Sequence, residues 1–79
     1  MTEIPLTEEI LYKNTYDEKT NSYKVYNTEH YIQYCLSNNY VIKYWKNVNK
    51  FTYEGLPLKY VSDLQLLFKL MRLNKEVIV

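Results

Sequence analysis

The sequence predicts an α+β domain: a short N-terminal helix, a three- to four-stranded antiparallel sheet, and a C-terminal helix packed on one face. Three observations predict it. Thr7 stands directly before two acids and an apolar pair, Glu8-Glu9-Ile10-Leu11. Tyrosine, valine and isoleucine then dominate short runs between residues 23 and 46, separated by asparagine-rich turns. Finally, KYVSDLQLLFKLMRL at residues 59–73 repeats its apolar positions at helical spacing.

The first helix is expected over residues 8–14. The Thr7 hydroxyl caps free backbone N–H groups, and the two carboxylates favour the positive end of the helix dipole. Pro5 lies ahead of the helix, where its missing N–H costs nothing, and Ile10 and Leu11 supply one apolar side. Residues 14–22, NTYDEKTNS, are polar and read as a turn or loop.

YKVYN, HYIQYCL and YVIKYWKN read as strands, because β-branched and aromatic residues suit a pleated, half-buried surface. If Asn38 and Asn39 are the centre of a tight turn, Ser37 faces Tyr40, Leu36 faces Val41, Tyr34 faces Lys43 and Ile32 faces Trp45. Opposed residues share a side of the sheet. One face then carries Ile32, Leu36, Val41 and Trp45 as core, and the other carries Tyr31, Gln33, Cys35, Tyr40, Ile42, Tyr44 and Lys46. A three-residue loop with Asn49 left-handed leads into KFTYEG, putting Phe51 on the core side opposite Trp45 and Lys50 outward. A two-residue loop inverts that choice. EGLPL, with the only glycine, ends the strands.

In the last helix, Tyr60, Leu64, Leu67, Phe68 and Met71 form a core stripe. Leu66, Leu70 and Leu73 fall on nearly the opposite side. Either other elements wrap this helix, or the second stripe meets another chain. The ending EVIV adds an edge strand or frays.

Composition narrows the function classes. At 79 residues and 47% apolar content, the chain is expected to form one domain spanning residues 1–79. Ten tyrosines stand out, since a large ring with a polar tip suits both half-buried sheets and interfaces. A single cysteine excludes an internal disulfide, and no apolar run is long enough for a signal peptide or a membrane span. A cytoplasmic location in a bacterial host cell is the expectation. Residues 1–20 hold five acids against two lysines, whereas no acid occurs between Glu29 and Glu54. That window can attract phosphate, or it is simply a solvated sheet face.

Nothing in the sequence converges on catalysis. His30 and Cys35, each the only residue of its type, lie five apart on one expected strand and point to opposite faces. There is no metal-ligand spacing, and one glycine cannot build a phosphate loop. Asp17-Glu18 sits in a polar loop. The expectation is a non-enzyme without cofactor or metal.

IPLTEEIL at residues 4–11 and LKYVSDLQLLFKLMRLNKE at residues 58–76 resemble small proteins encoded by bacterial phages and mobile elements. Their pattern runs PLTEEWL, then strands, then a helix similar to YVHQLQNLYFALT. The resemblance covers the two ends. Ile10 stands in place of a tryptophan, Ser62 in place of a histidine, and Met71-Arg72-Leu73-Asn74 replaces the usual helix ending. It implies a helix, a small antiparallel sheet and a closing helix, and no reaction.

The function expected from these readings is binding. The most concrete form is a phage-type inhibitor that occupies a surface of a host nucleic-acid defence complex, of the kind that blocks CRISPR effectors, or its guide RNA. Tyr31, Tyr40, Tyr44, Lys46 and Lys50 are the expected partner-binding residues, and Leu66, Leu70 and Leu73 a second contact or self-association stripe. Partners are then a host protein or ribonucleoprotein, with direct RNA or DNA contact as a further option. A stand-alone nucleic-acid-binding or regulatory protein and a structural homodimer are the alternatives, beside the plain reading that tyrosines cover a half-buried sheet.

Overall fold

A computed structural model describes residues 3–37 and 40–79. Helix α1 (Glu8–Lys13) is followed by β1 (Tyr16–Asp17), β2 (Ser22–Tyr23), β3 (Val25–Asn27), β4 (Tyr31–Ser37), β5 (Tyr40–Trp45), β6 (Lys50–Tyr53), β7 (Leu56–Leu58) and helix α2 (Val61–Leu70). Strands β3 to β7 form a five-stranded antiparallel meander, and β1 and β2 form a separate small ribbon. The fold is α+β, with more strands than the sequence suggested.

Both helices start as their sequences demand. The Thr7 Oγ1 accepts a hydrogen bond from the Ile10 N–H at 3.2 Å, and Glu8 and Glu9 occupy the first turn. At α2 the Asp63 carboxylate reaches back and accepts from the N–H groups of Lys59 and Tyr60, at 2.9 and 3.0 Å. The helix is shorter than its apolar repeat. It stops at Leu70 because Arg72 turns left-handed (φ 57°), so that the N–H of Leu73 reaches the Phe68 carbonyl and that of Arg72 the Lys69 carbonyl. This pair of bonds closes the helix end in a Schellman turn, with arginine where glycine is favoured. Leu73 thereby leaves the helical repeat and packs against the core. Its expected place beside Leu66 and Leu70 is corrected.

The decisive feature of the sheet is a bulge at Leu36. Ser37 pairs with Tyr40, as the turn register expects, but Cys35 pairs with Val41, Tyr34 with Ile42, Ile32 with Tyr44 and Tyr31 with Trp45. The Asn38-Asn39 centre of the expected turn lies outside the described residues. One extra residue on β4 leaves its own alternation as expected and inverts that of β5. Tyr34, Leu36 and Ile42 are buried, while Tyr40 and Tyr44 pack inward against them. The expected inward Val41 and Trp45, and outward Ile42, Tyr40 and Tyr44, are therefore corrected. The reason is Lys43. In the unbulged register its ammonium would point into the core, where an unpaired charge is costly, whereas the slip buries Ile42 and turns Lys43 outward.

The hairpins that follow use positive-φ residues. Asn49 is left-handed (φ 51°), as expected, but the loop is one residue longer, so Phe51 pairs with Tyr44 and Lys50 with Trp45. Phe51 is buried all the same. Glu54 and Gly55 (φ 49° and 86°) make a two-residue primed turn, which matches strand twist and brings β7 alongside β6. EGLPL thus starts a strand instead of ending the sheet, and Pro57 falls on an edge strand, where a missing donor is tolerated. Likewise residues 14–22, expected to be loop, contain β1 and the first residue of β2.

Helix and sheet residues meet in one cluster. Ile10 and Leu11 of α1 and Leu64, Leu67 and Phe68 of α2 pack with Leu6, Tyr34, Leu36, Ile42 and Phe51. Leu11, Ile42, Leu64 and Phe68 are wholly shielded from water. Each such side chain contributes roughly 1.5–3 kcal/mol of transfer free energy. The chain ending is not a strand. It is held by buried Asn14, whose Nδ2 donates to the carbonyls of Ile10 (2.6 Å) and Ile78 (3.0 Å) and whose Oδ1 accepts from the Ile78 N–H (2.9 Å).

Candidate binding face

The helices cover one side of the meander, and the other side stays bare of them. Strand pairing sets what that outer face presents: Tyr26 beside Gln33, then Tyr31, Lys43 and Trp45, then Lys50 and Thr52. At its centre the Tyr31 and Trp45 rings lie with centroids 5.0 Å apart and planes tilted by 56°. The Lys43 Nζ sits 4.7 Å from the Tyr31 centroid and 5.7 Å from that of Trp45. A cation so placed is attracted by the electron-rich faces of both rings. The indole Nε1–H of Trp45 donates to Thr52 Oγ1 at 2.9 Å, which sets the ring's orientation. A groove of about 280 Å³ opens beside Trp45, Lys43 and Thr52 and ends at Glu54 and Gly55.

Of the five expected partner-binding residues, Tyr31 and exposed Lys50 share this face. Tyr40 and Tyr44 belong to the opposite, core-facing side. The Tyr44 ring packs on Phe51 at 4.7 Å, with its hydroxyl donating to Asn49 Oδ1 at 2.8 Å, and Tyr40 lies 6.4 Å from Tyr53. Lys46 serves the fold instead. Its ammonium donates to Asn27 Oδ1 at 2.6 Å and to the Thr28 carbonyl at 2.7 Å, tying the β3–β4 connection. In their place the structure assigns Lys43 and Trp45 to the face. The signal was present in the sequence, since Lys43 stands between Ile42 and Tyr44 and only one parity keeps its charge in water.

Leu66 and Leu70 are exposed on α2, at 58% and 72%, while Leu73 is half-buried against the core. A second aromatic group surrounds the small ribbon. Tyr12 stacks on Tyr23 at 4.3 Å, Tyr16 meets Tyr23 edge-on at 5.2 Å, and the Tyr16 hydroxyl bonds to the Asn21 carboxamide oxygen.

Burial, then the Glu8 carboxylate and Tyr44, push the Tyr34 phenol up to about 12. Tyr53 is raised too, by loss of hydration first and then by Glu54 and Tyr40. Both therefore stay protonated at neutral pH. Cys35 lies on the outer face within 3.7 Å of the Gln33 amide, a weak contact that supplies no base. A hollow of about 590 Å³ beside it is lined by Tyr16, Asp17, Lys24 and Tyr26, among others. Among the described residues, no three of His, Cys, Asp and Glu come together to hold a metal, and no helix is long and apolar enough to cross a membrane. No family model, no curated protein and no solved structure matches this chain.

Proposed function

We propose that this chain is a non-catalytic binding protein that works by occupying a surface of a larger macromolecular assembly through the outer face of its sheet. The observation that carries the reading is the Tyr31–Lys43–Trp45 cluster on the helix-free side. Such rings offer large contact area at small entropic cost, and tryptophan and tyrosine dominate the energetics of interfaces. Fixing Trp45 through Thr52 lowers that cost further, because the ring is ordered before any partner arrives.

The specific form of the reading is an inhibitor of a host nucleic-acid defence complex, supported by the resemblance of residues 4–11 and 58–76 to phage and mobile-element proteins. It acts by steric occupancy, with no bond made or broken. Co-expression with CRISPR effectors and a targeted phage tests it. Wild type restores plaque formation against at least one effector, and Trp45→Ala and Lys43→Glu abolish the rescue while Lys69→Ala retains it. Rescue indifferent to both face variants, or absent across the effectors, overturns the reading.

A homodimer joined through α2 is the second reading, favoured by the exposure of Leu66 and Leu70. Sedimentation at several concentrations decides it. A concentration-dependent dimer that Leu70→Glu abolishes supports the reading, and a monomer for wild type removes it.

A further inference from the structure

The outer sheet face has a chemistry narrower than that of a general interface. Its strand positions carry Tyr26, Tyr31 and Trp45 as rings, Lys43 and Lys50 as cations, Gln33 and Thr52 as hydrogen-bonding groups, and no carboxylate. Acids stand at its margins: Glu54 at the end of the groove beside Trp45, and Asp17 and Glu18 around the hollow next to Tyr26 and Cys35. Aromatic anchors serve protein interfaces too, so what narrows the partner is the pairing of these rings with two lysines and no carboxylate on the strand positions. The face therefore suits a flexible partner that carries negative charge and planar rings together.

We propose that this face binds single-stranded nucleic acid, with bases laid on Tyr31 and Trp45 and the backbone phosphates met by Lys43 and Lys50. The inference deepens the binding reading above and rests on it for the choice of face. Three physical arguments support it. Single-stranded binders combine aromatic platforms with a cationic track, and this sheet supplies both within neighbouring strands. Lys43 rests against the two rings in the free protein. A phosphate competes for its ammonium and draws it off them, so one event neutralises the charge and bares the platform. The Trp45 edge is already committed to Thr52, which leaves the faces of the indole, and not its N–H, for recognition. Stacking without edge contacts tolerates any base, so weak sequence preference is expected.

The single tryptophan of the chain makes the site its own reporter. Wild-type protein is titrated with 12-nucleotide oligo-dT and oligo-rU at several salt concentrations, following Trp45 fluorescence and the anisotropy of a labelled strand. Quenching on binding is expected. The logarithm of affinity should fall against the logarithm of salt with a slope of about −1.4, the value for two neutralised phosphates on a single strand. Lys43→Gln should reduce that slope by about 0.7. Trp45→Ala should weaken binding about 5- to 150-fold, the factor for one lost stacked base, and Trp45→Phe should recover most of it. Circular dichroism of each variant separates loss of the platform from loss of the fold. Equal binding of a polyanion without bases, such as polyglutamate, overturns stacking. Absence of binding to either strand overturns the inference as a whole. If the phage assay then still depends on Trp45, the occupant is a protein and the broader binding reading stands.

Discussion

Trp45 and Thr52 are joined diagonally across β5 and β6, with the indole N–H donating to the threonine hydroxyl at 2.9 Å. The bond links the outer face to the sheet beneath it. Replacing Thr52 by valine keeps the shape and removes the acceptor. The expected result is a loss of about 0.5–1.5 kcal/mol in urea denaturation. Faster depolarisation of Trp45 fluorescence should accompany it, since the ring then reorients. Unchanged anisotropy would show that packing against Tyr31 alone holds the indole.

Phe68 and Leu70 lie two residues apart on α2 and meet opposite environments, one shielded from water and the other 72% exposed. Phe68→Ala should cost about 3–5 kcal/mol, enough to unfold much of a domain of this size. Leu70→Ala should fall within about 0.5 kcal/mol of wild type. Thermal unfolding followed by circular dichroism distinguishes them. A large loss for Leu70→Ala that depends on protein concentration would point to a subunit contact.

Asn14 is the buried joint between the end of α1 and residue 78, through three side-chain bonds. Asn14→Ala leaves the Ile78 amide without that acceptor and the Ile10 carbonyl without its side-chain donor. The expected loss is about 1–3 kcal/mol. Hydrogen exchange gives the more specific readout. The Ile78 amide should lose its protection while the amides of β4 and β5 keep theirs.

Alkaline pH should act through Tyr34, whose phenol is pushed up to about 12 by burial and by its neighbours Glu8 and Tyr44. In the unfolded chain it ionises near 10. The native state therefore holds its proton longer, so its contribution is complete below pH 10 and is lost as the pH rises towards 12. The size is on the order of 2 kcal/mol. Urea midpoints measured from pH 9 to pH 12 should fall in wild type and fall less in Tyr34→Phe. Parallel curves for the two proteins would assign the alkaline loss to other groups.

Much of this architecture is legible in local chemistry. The Thr7 cap, the burial of Ile10 and Leu11, the strands at residues 31–37 and 40–45 and the α2 core positions Leu64, Leu67 and Phe68 all follow from spacing and side-chain type. Their pattern is set by side chains within one or two turns of each other, so it can be read without knowing which distant element covers them. The candidate face is half legible. Alternation along β4 identifies Tyr31, and Lys50 faces outward because a loop one residue longer offsets the inverted β5, whereas the unbulged register puts Tyr40 and Tyr44 on the wrong side and Trp45 in the core.

Tertiary structure made that last decision. Side chains alternate with a period of two, so one bulged residue at Leu36 exchanges every side chain of β5 between core and surface. No residue within β4 alone announces the bulge. It arises because Tyr34, Leu36 and Ile42 can all reach Leu11, Leu64 and Phe68 in one apolar cluster only if the ladder slips, and the same slip returns the Lys43 charge to water. The separation of Leu73 from Leu66 and Leu70 has a similar origin. A left-handed Arg72 folds the chain back onto the core where the apolar repeat by itself would have carried the helix onward.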